Sequence, residues 1–295
     1  MEELEFVIRT VGERTEEVCI ELVNQQKEDS EILHVLRENT HVKAVDSTIK
    51  IGLRCKAKWF VAIDADMLLT NDGLTKIRSE IRSCSSDVAI LHPAVVDKLY
   101  RMKRWGLTVY RQSILSELYD EFLEIRKKQH LKIEGAAIKA LSVKDNRKVV
   151  FLRYEVAIHD FYQYYSDLYR KAYLNALRNP GYNRKSAKCW KKLSTSDHDY
   201  LVMLKAIQDA LGENRELTNS ATDFEQDELD SIIQGLGLKE KSPLSWDDYV
   251  DQCNVSPMNK EIKKLDNDRM FNDYFDDSSL RSRIRSFLYR LRESK

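Results

Sequence analysis

The sequence predicts an α/β protein with a mostly parallel central sheet flanked by helices, followed by an α-helical C-terminal region. Short apolar runs alternate with stretches of helical periodicity from residue 4 to about residue 95, which is the pattern of a right-handed parallel sheet. The run at residues 59–63 is apolar throughout, as expected of a strand covered on both faces. Beyond Pro180 we find helical patterns and no convincing strand.

The first part of the chain predicts four strands and three helices. In order these are strand 4–11, helix 13–26, strand 31–36, helix 46–57, strand 59–63, helix 72–81 and strand 87–95. Gly12 ends the first strand, Asp46 or Ser47 can cap the second helix, and Asn71 or Asp72 can cap the third.

The remaining elements are less regular. They are strand 107–111, helix 113–128, strand 148–156, helix 161–177 and the helical patterns 197–211, 226–234, 246–253 and 280–291. The sequence Asn179-Pro180-Gly181 predicts a helix stop. We therefore expect a boundary near Pro180, with an α/β domain over residues 1–180 and a helical region over 181–295.

Composition narrows the class of protein. Of 295 residues, 42% are hydrophobic and 33% are charged, and the 48 basic residues equal the 48 acidic ones, so net charge favours no nucleic-acid partner. No apolar run approaches the length that spans a bilayer, and the acidic N-terminus lacks the features of a signal peptide. Five widely spaced cysteines form no CxxC pair, which favours a reduced, cytoplasmic protein.

The most informative motif is Asp64-Ala65-Asp66, which follows the apolar strand 59–63 directly. Ligands of parallel sheets collect at the carboxyl ends of the strands, where this pair lies. Carboxylates there suit a hard divalent cation, which can bridge the oxygens of a diphosphate. The alternative interpretation is a pair of loop aspartates that cap the next helix.

The motif and its surroundings resemble those of the GT-A glycosyltransferases, which are nucleotide-sugar-dependent enzymes with a Rossmann-type sheet. The likeness is carried by the opening segment 6–14, by the lead-in Cys55-Lys56-Ala57-Lys58 with its strand, and by the Asp-Ala-Asp motif. It covers residues 4–95 well and 96–178 loosely. The resemblance implies that Mn²⁺ or Mg²⁺ is held at Asp64 and Asp66 together with the diphosphate of a nucleoside-diphosphate sugar donor.

The resemblance also implies which residues surround the donor. It brings Arg9, Thr10, Glu13 and Arg14, with Asp64, near the nucleotide. Guanidinium groups pair well with phosphate, which supports Arg9 and Arg14. For Glu13 and Arg14 an ordinary charge pair at an exposed helix start is the alternative interpretation.

His159-Asp160 follows the strand that starts at Lys148. Many GT-A enzymes complete the metal shell with a histidine after the last core strand, so the resemblance implies His159 as a ligand and Asp160 as its orienting or catalytic neighbour. Asp160 as a helix N-cap is the alternative. We find no clean equivalent of the carboxylate pair that supplies the base in inverting members. Glu134 is the best candidate by position, and the stereochemical outcome stays open.

The expected acceptor is a hydroxyl of a glycan or a lipid-linked glycan. The tyrosine-rich segment 161–173 can border its pocket. Core packing is the favoured explanation for Phe161, Tyr165, Leu168 and Ala172, which share one helical face, whereas Tyr162 and Tyr169 remain free for another role. Residues 280–292 form a basic amphipathic pattern that can lie on an anionic membrane or dock on the protein's own body. The first possibility predicts peripheral contact at the inner face of the membrane.

The sequence leaves two alternative functions open. A haloacid dehalogenase-type phosphatase also uses D-x-D after an apolar strand, with the first aspartate as nucleophile. That family has Gly-Thr after the motif, whereas this chain has Met67-Leu68. A non-catalytic interaction protein is the third possibility, because the expected base is missing.

Overall fold

A computed structural model describes residues 4–127, 133–144, 147–178, 180–212 and 224–255. The predicted basic helix at 280–292 lies outside these residues, as does Asn179. The strands are β1 (Leu4–Thr10), β2 (Ile32–Arg37), β3 (Trp59–Asp64), β4 (Met67–Leu69), β5 (Val88–Asp97), β6 (Met102–Trp105), β7 (Thr108–Arg111) and β8 (Lys148–His159).

Helices lie between single strands or groups of strands up to β8, and within the described residues the helices after β8 follow one another without a strand between them. They are α1 (Glu16–Gln26), α2 (His41–Arg54), α3 (Gly73–Ser83), α4 (Leu115–Lys127), α5 (Ile133–Lys144), α6 (Tyr165–Arg178), α7 (Pro180–Leu193), α8 (His198–Gly212), α9 (Gln226–Gly235) and α10 (Trp246–Val255). None of the helices in the described part of the chain has the length and apolar character needed to cross a bilayer.

The α/β class is confirmed, and the sheet is mixed. Its strand order is β2-β1-β3-β7-β5-β8-β4, with β6 paired to β5. Strands β1, β2, β3, β5 and β8 run in one direction, while β4, β6 and β7 run in the opposite direction. The carboxyl ends of β1, β3, β5 and β8 therefore meet at one edge of the sheet, which is where polar residues gather.

Helices cover both faces of the sheet, as the apolar strands predict. Val61 and Ile63 of β3 belong to the hydrophobic cluster that contains α1 and α3. Phe60 and Ala62, which alternate with them, belong to the cluster on the opposite face with α2, α4 and α5. This alternation is the period-two geometry of a strand buried on both sides. A third cluster joins α6, α7, α8 and α9.

Several element predictions need correction. Helix α2 begins at His41, because Thr40 accepts a hydrogen bond from the backbone N–H of Lys43 and so caps it. Strand β5 continues through Pro93 to Asp97. Pro180 starts α7 as well as following α6, since proline is well tolerated in the first turn, where its missing N–H costs nothing.

Helices α5 and α7 and the short strands β4 and β6 were not predicted. The predicted boundary at residue 180 falls between α6 and α7, both of which contribute to the third cluster. The two-domain division stays a prediction.

Candidate metal centre

The turn after β3 presents Asp66 at the carboxyl edge of the sheet. The N–H of Ala65 donates to the carbonyl of Arg9 at 2.9 Å, and the hydroxyl of Thr15 donates to the carbonyl of Ala65 at 2.7 Å. The N–H of Asp160 donates to the carbonyl of Asp66 at 3.2 Å. The turn is thus fixed to β1 on one side and to the end of β8 on the other.

The end of β8 brings a second pair of polar side chains to the same place. His159 is in register with Met67 of β4 and with Asp97 of β5. Asp160, the next residue, has φ of 63°, a left-handed conformation that is uncommon for residues other than glycine but tolerated by aspartate. This bend ends the strand and keeps the Asp160 carboxylate beside the His159 ring.

Asp66, His159 and Asp160 form a group with the composition of a metal site. One ligand atom from each lies within 4.8 Å of the others. The Nε2 atom of His159 is 3.4 Å from Oδ2 of Asp66, and its Nδ1 atom is 3.5 Å from Oδ2 of Asp160. Oδ1 of Asp66 is buried and has no hydrogen-bond partner among the described residues. A buried carboxylate oxygen without a donor is well suited to a cation, and carboxylate with imidazole suits Mn²⁺ or Mg²⁺.

Asp97 orients the histidine of this group. Its Oδ2 atom is 2.9 Å from Nδ1 of His159 and 3.2 Å from Nη1 of Arg104, and its Oδ1 atom accepts from the N–H of Tyr100 at 2.7 Å. A carboxylate on one ring nitrogen fixes the ring and leaves the other nitrogen for a ligand. We did not predict Asp97, although it ends an apolar strand as Asp64 does.

Lys171 of α6 supplies a positive charge inside the group. Its ammonium contacts Oδ2 of Asp66 and Oδ1 of Asp160. A helix from the C-terminal side of the sheet thus balances the two carboxylates. Lys171 belongs to no motif, so no pattern in the sequence singles it out.

The buried charges alter one another's pKa values. Burial opposes ionisation of Asp66, but Lys171 and His159 outweigh it and lower the pKa of that carboxyl. Burial likewise opposes the imidazolium, but Asp160 and Asp66 raise the pKa of His159 well above its usual value. Burial, opposed by His159 and Lys171, raises the pKa of Asp160. Without a bound cation, the two carboxylates therefore favour the protonated form of His159.

A second polar cluster lies beside the group, around Arg9. Arg9 Nε donates to Oδ1 of Asp64 at 2.6 Å, and its Nη1 donates to both carboxylate oxygens of Glu134 at 3.0 Å. The hydroxyl of Tyr110 donates to Glu134 at 2.5 Å. Although burial acts in the opposite direction, Arg9 lowers the pKa of Glu134 to about 2. Such a carboxylate is a weak proton acceptor, and its contacts hold Arg9 in place.

The other predicted donor residues lie in the loop between β1 and α1. The hydroxyl of Thr10 lies 2.7 Å from Oε2 of Glu13. Burial and the nearby charge of Asp66 raise the pKa of Glu13. Arg14 donates to two carbonyls, that of Tyr162 at 2.7 Å and that of Ser242 at 2.6 Å. Arg14 therefore ties the loop after β8 to the segment before α10.

The structure thus separates the two aspartates of the motif. Asp66 joins His159 and Asp160, whereas Asp64 pairs with Arg9 and does not belong to the three-residue group. The roles given to all of these residues stay predictions. The prediction for Tyr169 is wrong, because Tyr169 is buried against Phe224 in the helical cluster and donates to Asp209 at 2.6 Å.

Comparison with known proteins gives only weak likenesses. No family model and no curated protein matches the chain. A solved glycosyltransferase involved in the glycosylation of the major capsid of PBCV-1 is 10% identical, with a TM-score of 0.40, over 53% of this chain and 93% of its own. The mannosyltransferase PcManGT from Pyrobaculum calidifontis, in complex with GDP-Man and Mn²⁺, is 11% identical, with a TM-score of 0.39, over 73% of this chain and 76% of its own.

A third solved structure has a different activity. The 4-diphosphocytidyl-2C-methyl-D-erythritol synthase from Anaerococcus prevotii is 10% identical, with a TM-score of 0.38, over 54% of this chain and 87% of its own. Identities and TM-scores this low give no evidence of function. A functional assignment therefore depends on the chain's own residues.

Proposed function

We propose that this protein is a metal-dependent glycosyltransferase that moves a sugar from a nucleoside-diphosphate sugar to a hydroxyl of a glycan or lipid-linked glycan. One observation carries the proposal. Asp66, His159 and Asp160 gather at the carboxyl edge of an α/β sheet, with a buried carboxylate oxygen that lacks a hydrogen-bond donor among the described residues. The resemblance of the Asp-Ala-Asp motif to that of GT-A enzymes supports this function for the three-residue group.

The cation would be held by Asp66 and His159, with Asp160 as the third protein ligand. Bound there, Mn²⁺ or Mg²⁺ would supply positive charge to the diphosphate of the donor. Asp97 holds the His159 ring in place through Nδ1, which leaves Nε2 for the cation. Lys171 neutralises the carboxylates until a cation takes that role.

Arg9 and Asp64 would contact the donor beside the cation. Arg9 is held from two directions by Asp64 and Glu134, which makes its guanidinium a rigid group. Asp64 is about a third exposed and can accept a hydrogen bond from a ribose hydroxyl. Thr10, Glu13 and Arg14 shape the loop between β1 and α1.

Asp160 is a candidate both for a metal ligand and for the proton acceptor of the reaction. Glu134 is held by Arg9 and Tyr110, whereas the carboxylate of Asp160 lies within the metal-binding group itself, where the reaction would take place. The substitution Asp160→Asn separates the two roles. Lost cation binding would assign Asp160 as a ligand, whereas retained binding with lost transfer would assign it as the base.

Thermal unfolding tests the proposal directly. Mn²⁺ together with UDP or GDP should raise the melting temperature of the wild-type protein, because ligands that bind the folded state stabilise it. Asp66→Asn should lose this shift, and Asp29→Asn, at an exposed turn, should keep it. Assays of sugar transfer from radiolabelled donors then identify the nucleotide base and the sugar of the donor. No shift with any nucleoside diphosphate, or the same shift in Asp66→Asn, would contradict the proposal.

The other two functions make different predictions. A haloacid dehalogenase-type phosphatase is not favoured, since Asp64, its nucleophile, is ion-paired with Arg9 at 2.6 Å. Phosphate release from an aryl phosphate that disappears in Asp64→Asn would restore it. Nucleotide binding without turnover of any donor would support the non-catalytic interaction protein.

A further inference from the structure

An open cleft of about 450 Å³ lies beside the Arg9 cluster, on the face of the sheet that carries α5. Its walls come from β5, β6, β7, β8 and α5, and Glu134 is part of its lining. Glu134 also holds Arg9, which in turn pairs with Asp64. The cleft is therefore joined to the proposed donor site by direct contacts, and its size is that of a small-molecule pocket.

Two exposed aromatic rings form one wall of the cleft. Trp105 is 45% exposed and Phe151 is 48% exposed, and their ring centroids lie 4.4 Å apart. The ring of His92 stacks on Phe151 at 5.3 Å. Large aromatic side chains are usually buried, so two adjacent rings that stay open to solvent point to a ligand that covers them.

Apolar and polar side chains share the rest of the lining, and Ile138 and Val149 are the apolar ones. The polar residues are Thr108, Ser142, Lys139 and Glu134, and the hydroxyl of Ser142 donates to the carbonyl of Lys139 at 2.9 Å. An alkyl chain laid over the charged residues Lys139 and Glu134 would remove them from water without giving hydrogen bonds in return, which costs free energy. A sugar offers C–H groups to the rings and hydroxyls to the polar wall.

We propose that this cleft is the binding site for a saccharide ring of the acceptor, with Trp105 and Phe151 as its stacking platform. This proposal rests on the proposed function only where it identifies the bound sugar as part of the acceptor. Saccharide binding itself can be measured without a donor. It makes the acceptor a glycan that is recognised through a sugar, whether or not a lipid is attached to it.

Saturation-transfer NMR on the full chain tests the proposal, with maltose, cellobiose and lactose as probes. Wild-type protein should transfer saturation to at least one of these sugars. Trp105→Ala and Phe151→Ala should weaken that binding by roughly tenfold or more, which corresponds to the loss of one good stacking contact. Ile32→Ala is the matched control, because Ile32 is a strand residue with 54% exposure on the far edge strand β2.

The outcomes separate this proposal from the proposed function. Absence of saturation transfer to all three sugars, or transfer that survives both aromatic substitutions, would overturn the saccharide site. Binding of decyl phosphate in place of the sugars would assign the cleft to a lipid and overturn it as well. The melting-temperature shift with Mn²⁺ and UDP or GDP should persist in Trp105→Ala, so failure of that shift in wild-type protein counts against the glycosyltransferase alone.

Discussion

The ammonium of Lys171 contacts the carboxylate of Asp66 across 105 residues of sequence. It also contacts Asp160, so one lysine serves two of the three residues that could hold a cation. A divalent ion at this place must compete with a charge that the protein itself provides. The affinity of the site for metal is therefore set partly by α6.

Replacement of Lys171 should increase the affinity for metal and lower the free energy of unfolding of the metal-free protein. In Lys171→Met the carboxylates lose their partner, which should cost about 1–3 kcal/mol of unfolding free energy without divalent ions. Mn²⁺ should then bind roughly tenfold more tightly, since it displaces no ammonium. Urea unfolding and isothermal titration with Mn²⁺ measure the two effects.

The matched control is Lys205→Met, which removes a lysine from an i,i+4 pair with Asp209 on α8. That pair is partly exposed, and its loss should change stability by less than about 1 kcal/mol and leave Mn²⁺ affinity unchanged. Weaker Mn²⁺ binding in Lys171→Met would show that the lysine supports the site and does not compete for it.

Asp97 should matter for metal binding although it is not expected to touch the ion. Asp97→Asn keeps the shape of the side chain but removes the charge that faces Nδ1 of His159 at 2.9 Å. Losses of this kind behind a metal ligand typically cost roughly 10- to 100-fold in affinity, and we expect that range here. Titration with Mn²⁺ measures it, with Asp87→Asn, just before the other end of β5, as the control. An unchanged affinity would remove Asp97 from the site.

The sequence predicts where Asp66 and His159 lie, because the signals that place them are local. Asp66 follows an apolar strand, and His159 ends another, so strand periodicity alone brings both to the carboxyl edge. The same rule applies to Asp97. The predicted strand ends at residue 95, two residues short of Asp97, whereas β5 continues to Asp97 itself.

The remaining contacts depend on packing that local patterns do not encode. Arg9 and Glu134 are 125 residues apart, and their pairing depends on how α5 packs on the sheet. Lys171 reaches Asp66 because α6 crosses the edge of the sheet beside β8. Nothing in the periodicity of either helix specifies such a partner. The separation of Asp64 from Asp66 likewise depends on the tight turn between β3 and β4.

The Arg9–Glu134 pair should make stability depend on acid pH. The pKa of Glu134 is lowered from 4.5 to about 2, so its ionised form stabilises the fold above about pH 4.5, and this contribution is lost as the pH falls towards 2. The shift corresponds to about 3 kcal/mol. Glu134→Gln should therefore lower the unfolding free energy by about that amount at pH 7, and its difference from wild type should shrink by pH 2.5.

Urea unfolding at pH 7, 4 and 2.5 measures this difference. Glu117→Gln is the control, because Glu117 pairs with Arg147 at 2.7 Å in the same bidentate manner but is 40% exposed. Its effect should stay below about 1 kcal/mol and vary little with pH. A Glu134→Gln difference that does not change with pH would show that the pair contributes packing and not charge.

Two helical glycines, Gly73 in α3 and Gly135 in α5, should respond oppositely to replacement by alanine, because only Gly73 lies close against another element. A Cβ at Gly73 would lie 2.5 Å from the carbonyl oxygen of Val156, so the first turn of α3 or β8 would have to move. Gly73→Ala should therefore cost about 1–3 kcal/mol. It should also weaken Mn²⁺ binding, because Val156 is three residues before His159.

At Gly135 in α5 a Cβ would meet nothing within 4 Å, and Gly135→Ala should stabilise the protein by up to about 1 kcal/mol through helix propensity. Thermal and urea unfolding of both variants measure the contrast, and stabilisation by Gly73→Ala would mean that α3 and β8 are packed less tightly than the structure has them.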